Sequence, residues 1–415
     1  MEEKPRNLRE MLSEAKDTSE LMVDLAYAAV YFGNPDMADE VSALEERMSY
    51  LVQDMRAVCI LAARHPKDAE AMASVLQVIS AIERIADDAV KIARIVTQRL
   101  GIPAQLVADL SAAEEVSHCV SVVKDSSLAH RSLGDFEMPV HMGLRVMAVR
   151  RGRDWITDVG GDTMIMPDDV LFLRGAPDGL LELRELAGSP GWSPPTMPED
   201  TFVTDLDRAV DVLVEMKNLS EVAVGLAYSA LVLRDAGIAT VVTHLRERLD
   251  EMKDRLELWV LRSASNMADP SALRGLLHLS QAAEDLSAQA LQMVWLIERE
   301  EQVHPVLAVA LGESDDVVVH LPVASDCEIA NETLSELRLN IDPGFTVLAI
   351  RRGGRYWYRP RGSVRLLAED ELIASGPDEG HERLAEMCGW RLTVEAGLQT
   401  SEESLEPIDS PKTNG

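Results

Sequence analysis

Apolar positions recur every three or four residues through residues 6–100. Leu21, Leu25, Ala28 and Phe32 form one series. Leu44, Met48, Leu51, Met55 and Val58 form a second, and Val75, Ile79, Ile82, Ile85, Ala89 and Ile92 a third. This spacing puts each series on one face of an α-helix. Gly33-Asn34-Pro35 and His65-Pro66 break the pattern, and Gly101-Ile102-Pro103 ends it. The pattern predicts three long helices joined by short turns, which pack as an antiparallel bundle. The period then changes. Val116, His118, Val120 and Val122 alternate with small or polar residues, as in a half-buried strand. Further on, the chain predicts a short helix over 127–136, a strand over 144–149 and a hairpin over 154–165 around Gly160-Gly161. A strand over 170–173 and a closing helix over 177–186 complete a small α+β domain.

The same text is written twice. GLRVMAVRRG at 143–152 returns 201 residues later as GFTVLAIRRG at 344–353. SELMVDLAYAAV from Ser19 matches SEVAVGLAYSAL from Ser220, and Glu83, Gly175 and Gly179 fall on Glu284, Gly376 and Gly380. A period of this length is a duplicated set of domains rather than a solenoid. The expected architecture is α and α+β multidomain. A helical bundle spans 1–105 and an α+β domain 110–188, followed by a Pro/Gly-rich linker at 189–204. A second bundle spans 205–304, a second α+β domain 312–392, and the tail at 400–415 is expected to be disordered.

Composition narrows the classes. The 415 residues are 47% hydrophobic, enough for real cores. No apolar run approaches the roughly 20 residues of a membrane helix, and no signal peptide is read at the N-terminus. The expectation is a cytoplasmic protein without direct membrane insertion. Cys59, Cys119, Cys327 and Cys388 lie far apart, and none has a cysteine at its repeat-equivalent position, so free thiols are expected. The net charge of −31 reads as an acidic, solvated surface suited to high salt, as in haloarchaeal proteins. It disfavours nucleic acid, whose backbone is bound by clustered Lys and Arg.

The run Ala81-Ile82-Glu83-Arg84-Ile85-Ala86-Asp87-Asp88-Ala89-Val90-Lys91-Ile92-Ala93 resembles the third-helix signature of PhoU domains. In the second copy Glu284 remains, but Ala288 and Gln289 replace the two aspartates. The α+β parts resemble the C-terminal domain of TrkA-type regulators, the RCK C-terminal domain. Leu133, 148–152, 167–171 and 175–180 carry the likeness in copy one; Leu334, 349–353, 369–372 and Gly376-Pro377 carry it in copy two. The Rossmann half that often precedes this domain is absent, as are G-x-G-x-x-G, P-loop and G-x-S-x-G motifs, so a non-enzymatic protein is expected. The resemblance implies a regulatory subunit of a cation, foremost potassium, transport system, whose partner is a membrane transporter or channel. Homo-oligomers are compatible with it. The alternatives are a PhoU-like regulator of phosphate transport and an adaptor of a divalent-cation transporter; a metal-dependent enzyme ranks last.

Two constellations carry candidate chemistry. Glu83 and Asp87, four apart on one helix face with Asp88 beside them, offer oxygen ligands to a hard cation, and PhoU relatives bind metal clusters through such pairs. The second copy keeps little of this set. Arg150, Arg151, Arg351, Arg352 and Arg355 form the basic blocks of an acidic chain, and guanidinium forks suit phosphate. The resemblance implies a cyclic dinucleotide or a divalent cation in a groove between two paired α+β domains. The plainer readings are a solvated acidic face and arginines that neutralise local acids.

Overall fold

The computed structural model describes residues 7–103, 106, 116–175, 177–189, 204–265, 267, 269–298, 304–311, 316–358, 360–396 and 401–407. The predicted linker lies almost wholly outside the described residues. Contacts divide the chain into two compact units, one of 1–119, 147–157 and 191–314, the other of 120–146, 158–190 and 315–415.

The first unit holds both helical bundles. Copy one supplies α1 (Leu8–Phe32), α2 (Pro35–Ala62) and α3 (Pro66–Thr97). Their ends are set by local chemistry. Gly33 stops α1 in the left-handed region at φ 58°, and the Asn34 side chain accepts the Asp36 and Met37 amides to start α2. Further on in the chain, copy two supplies α6 (Asp205–Leu233), α7 (Ala236–Ala264) and α8 (Arg274–Glu298). Thr204 and Asp207 form a capping box on α6. The predicted faces are the cores: Leu25, Met48, Met55, Ile79 and Ile82 are fully buried or nearly so. α3 packs on α8. The short helix α9 (Pro305–Leu311) packs against both α1 and α6 and buries Leu307 and Ala310.

Each α+β copy forms a four-stranded sheet of the same order. In copy one this is β1 (Val116–Ser121), β4 (Val170–Gly175), β2 (Leu144–Arg151) and β3 (Asp154–Ile156). Beside them lie α4 (Met138–His141) and α5 (Pro177–Leu186). Copy two has β5 (Asp316–Pro322), β8 (Glu371–Pro377), β6 (Thr346–Arg352) and β7 (Arg355–Tyr358), with α10 (Leu334–Leu337) and α11 (His381–Met387). The pairings β5–β8, β6–β8 and β6–β7 are antiparallel.

Three local expectations are corrected. The helix predicted over 127–136 is a turn followed by a 3₁₀ turn at Leu133–Asp135, because His130 takes φ 65° and breaks a helical run. The predicted 154–165 hairpin segment is a strand only at Asp154–Ile156; further along, Gly161 instead accepts the Gly134 amide at 2.7 Å. The tail is not disordered throughout. β10 (Ser401–Pro407) pairs antiparallel with β9 (Trp390–Ala396), and Leu405 packs on the second α+β core. Acidic composition masked a strand whose apolar contact comes from that one leucine. The remainder, residue 400 and 408–415, lies outside the described residues.

The four cysteines are free; Cys59 and Cys388 are buried.

Candidate functional site

In the second unit the two α+β copies meet reciprocally. Gly143, at φ 61°, leads into β2, and a Cβ there would strike the Asn340 carbonyl oxygen. Gly344, at φ 89°, leads into β6, and a Cβ there would strike the Pro139 carbonyl oxygen. Positions 139 and 340, like 143 and 344, are 201 apart, so the seam is a twofold contact within one chain. It has the self-complementary form of an isologous dimer interface. The glycines are needed twice over, for the left-handed backbone and for the close approach.

The arginines are at the other end of the strands. β2 runs eight residues from Leu144 to Arg151, and at about 3.3 Å per residue the arginines lie roughly 25 Å along the chain from the seam. They also have local partners. Arg352 grips the buried Asp370 with two hydrogen bonds of 2.6 Å, donates to the Arg365 carbonyl at 2.8 Å and stacks 4.8 Å over the Trp357 ring. Arg351 pairs with Glu371, which also holds His320 at 2.6 Å. Burial alone would raise the Glu371 pKa, but the Arg351 and His320 hydrogen bonds bring it below the usual carboxylate range. Arg150 reaches Asp36 of α2 at 3.3 Å. Arg151 pairs in register with Asp154 on β3. Arg355 is exposed on β7 opposite Arg352. The structure therefore separates these side chains from the pairing seam, where the sequence had joined them.

The acidic set divides as well. Glu83 is tied to Arg56 at 2.5 Å. Asp87 is exposed; partial burial raises its pKa, as do the neighbouring carboxylates of Glu45 and Glu83. These three acids share a face of the first bundle. Asp88, one residue on, points about 100° away around the helix and is buried. Desolvation pushes its pKa up to about 6 despite a hydrogen bond from Lys91. Among the described residues, no group of three or more His, Cys, Asp or Glu is placed to hold a metal ion. In copy two, Glu284 is held by Arg246 at 2.9 Å and by Lys253. Burial opposes the ionised form, but these cations take the Glu284 pKa below its ordinary value. Arg246 stands at the position equivalent to Glu45, so the second copy fills its acidic face with its own cations.

Sequence comparison then fixes the domain types. The TrkA-C domain model matches residues 119–188 and 318–389, and the PhoU domain model matches 12–96. This chain carries one PhoU domain and two TrkA-C domains. Both are regulatory rather than catalytic domain types. The second bundle, outside the PhoU match, repeats its three-helix order. PhoU from Pseudomonas aeruginosa aligns over 70% of this chain and 93% of its own, at 15% identity and a TM-score of 0.36. The GsuK channel bound to NAD aligns over 75% of this chain and 65% of its own, at 13% identity and a TM-score of 0.18. The GsuK RCK domain aligns over 75% and 78%, at 13% and 0.18. TM-scores this low leave the domain assignment to the family models. No curated protein matches the sequence. No described helix is long and apolar enough to cross a membrane.

The sequence reading missed three features. The His320–Glu371–Arg351 set spans three strands, β5, β8 and β6, that are separated in sequence. Lys16 and Lys217 are buried or nearly so beside aromatic rings. Gln289 passed only as a lost aspartate, yet it is buried. The 201-residue shift aligns Lys16 with Lys217 and Asp88 with Gln289, and comparison at that shift was the available signal.

Proposed function

We propose that this protein is a cytoplasmic, non-enzymatic regulatory subunit of a cation transport system, most simply one for potassium. A small ligand, a cyclic dinucleotide or a divalent cation, binds the paired TrkA-C domains, and the PhoU-type bundles transmit its occupancy to a membrane transporter or channel. The reciprocal Gly143/Gly344 seam carries this reading. Two TrkA-C domains paired in one chain make a self-complementary platform, and a ligand that prefers one arrangement of it biases the whole chain by its differential affinity. The arginines of β2 and β6 lend less support, since Arg351 and Arg352 already hold carboxylates; Arg151, in register with Asp154, and Arg355 are the exposed members of the set.

The test is isothermal titration of the full chain in high potassium salt with cyclic di-AMP, and separately with Ca²⁺ and Mn²⁺. Wild type is expected to bind one of them. Gly344→Val, which opens the seam, is expected to lose that binding, and Arg355→Ala to keep it. Binding that survives Gly344→Val in a folded protein overturns the seam as the site.

The PhoU match over 12–96 favours a second reading, a regulator of phosphate transport. Co-purification of a phosphate transporter component in place of a cation transporter would decide for it. An adaptor of a divalent-cation transporter is separated in the same way.

A further inference from the structure

Within the helical unit, α3 and α8 cross with reciprocal links. Arg84 donates to the Gln292 side chain at 2.8 Å, and Lys91 donates to Asp285 at 3.1 Å. Arg84 and Asp285 are repeat equivalents, and so are Lys91 and Gln292. Each link thus joins position 84 of one copy to position 91 of the other. The helices are antiparallel about a local twofold, and the midpoint of the links falls between positions 87 and 88. Asp88 and its equivalent Gln289 therefore face each other at the crossing.

Both are buried, at 2% and 8% exposure, and both are incompletely satisfied. Asp88 Oδ1 accepts Lys91 at 2.6 Å, but Asp88 Oδ2 and Gln289 Oε1 have no hydrogen-bond partner among the described residues. The Tyr27 hydroxyl is buried beside Ser220, its hydrogen-bonding neighbour, and the Asp88 charge acts on it. Buried polar atoms are nearly always paired, and orphans of one kind at one place call for a missing partner. Both orphaned oxygens, Asp88 Oδ2 in its ionised form and Gln289 Oε1, are acceptors only. What they lack is a partner that presents positive charge, either a cation or the hydrogens of a water.

We propose that the α3–α8 crossing holds a partly dehydrated monovalent cation of the alkali class, ligated by Asp88 Oδ2 and Gln289 Oε1. An all-oxygen donor set selects a hard ion. The local charge selects a single one. Asp88 and Asp285 carry two negative charges and Lys91 and Arg84 two positive ones, so the crossing is close to neutral and a divalent ion would add more positive charge to the desolvated site than a monovalent one. This site is separate from the Glu83/Asp87 face and does not depend on the ligand of the TrkA-C seam. Its effect is to tie the two bundles together at their crossing.

Thermal unfolding of the full chain in KCl, NaCl and choline chloride, at matched ionic strength and pH 7.5, tests the site. Wild type is expected to gain a saturable rise in Tm of about 3–5 °C with K⁺ or Na⁺ over choline. The arm with the lower midpoint names the ion. Gln289→Leu is expected to abolish the saturable part, and Gln289→Glu, a near isostere that keeps the fold if leucine does not, to lower the midpoint several-fold. In rubidium-soaked crystals an anomalous peak is expected between Asp88 and Gln289. No difference from choline, an unchanged midpoint in Gln289→Glu, or only a water or the Gln289 amide nitrogen facing Asp88 overturns the proposal.

Discussion

Lys217 Nζ of the second bundle stands 5.0 Å over the centre of the Tyr27 ring of the first. The relation is returned: Lys16 Nζ of the first bundle stands 5.3 Å over the ring of Tyr228. Tyr228 also meets Ser19 at 3.4 Å, and Ser220 flanks Tyr27. All three pairs of equivalents are 201 apart, so the bundles share a polar, twofold centre. Lys16 is almost wholly buried and leans on Glu20 at 3.0 Å.

The lysine–tyrosine contacts should be measurable as couplings. A desolvated cation–π pair contributes about 2 kcal/mol. A double-mutant cycle with Lys16→Met and Tyr228→Leu, read by urea unfolding, should give a coupling of about 1–2 kcal/mol. A coupling near zero would mean that the ring and the ammonium are neighbours without attraction.

The glycine seam predicts a contrast. Gly344→Ala meets both an unfavourable φ and the Pro139 carbonyl oxygen, and should cost more than about 2 kcal/mol. Gly152 has φ 64° but open space around its Cβ position, so Gly152→Ala should cost only about 1–2 kcal/mol, the left-handed backbone penalty alone. Chemical denaturation of the two variants side by side checks this ordering.

Arg352 and Asp370 predict a large loss for a half-exposed residue. Asp370 is fully buried and also caps the Leu367 amide at 2.8 Å. Arg352→Ala leaves that carboxylate without its guanidinium and should destabilise by about 3–5 kcal/mol. Arg352→Lys should recover only part, since a single ammonium does not reproduce the two-pronged grip. Arg355→Ala, on the exposed strand opposite, should stay within about 0.5 kcal/mol.

Asp88 predicts a pH dependence. Its pKa rises on folding to about 6, so the folded state holds its proton more tightly than the unfolded state. Between about pH 4 and 6 the native protein binds more protons at this position, and stability from Asp88 falls as pH rises through that window. The shift corresponds to about 3 kcal/mol across it. In choline chloride, subtracting the Asp88→Asn profile from wild type should leave this downward slope. A flat difference would show Asp88 to be ionised in the folded state with a compensating partner.

The helical faces, their breaks and the duplication were all legible in the chain, because helix period, caps and repeat spacing are local or linear properties. The PhoU and TrkA-C likenesses followed from contiguous motifs for the same reason. Residues 127–136 were misread because helical spacing cannot register that His130 adopts a left-handed φ. The strand at 401–407 was missed because pairing with 390–396 depends on a distant partner.

The candidate sites depended on tertiary structure throughout. Sequence placed Glu83, Asp87 and Asp88 side by side, but helix geometry sends Asp88 to the opposite bundle, where burial sets its charge. Sequence grouped the arginines with the TrkA-C pairing groove. The strands carry them to the far end, where Glu371 and Asp370 take up Arg351 and Arg352 and Asp36 takes up Arg150. Copy number and element order are written along the chain. Which equivalents meet across a twofold, and which of their oxygens are left without a hydrogen-bond partner, is fixed only when the two copies pack.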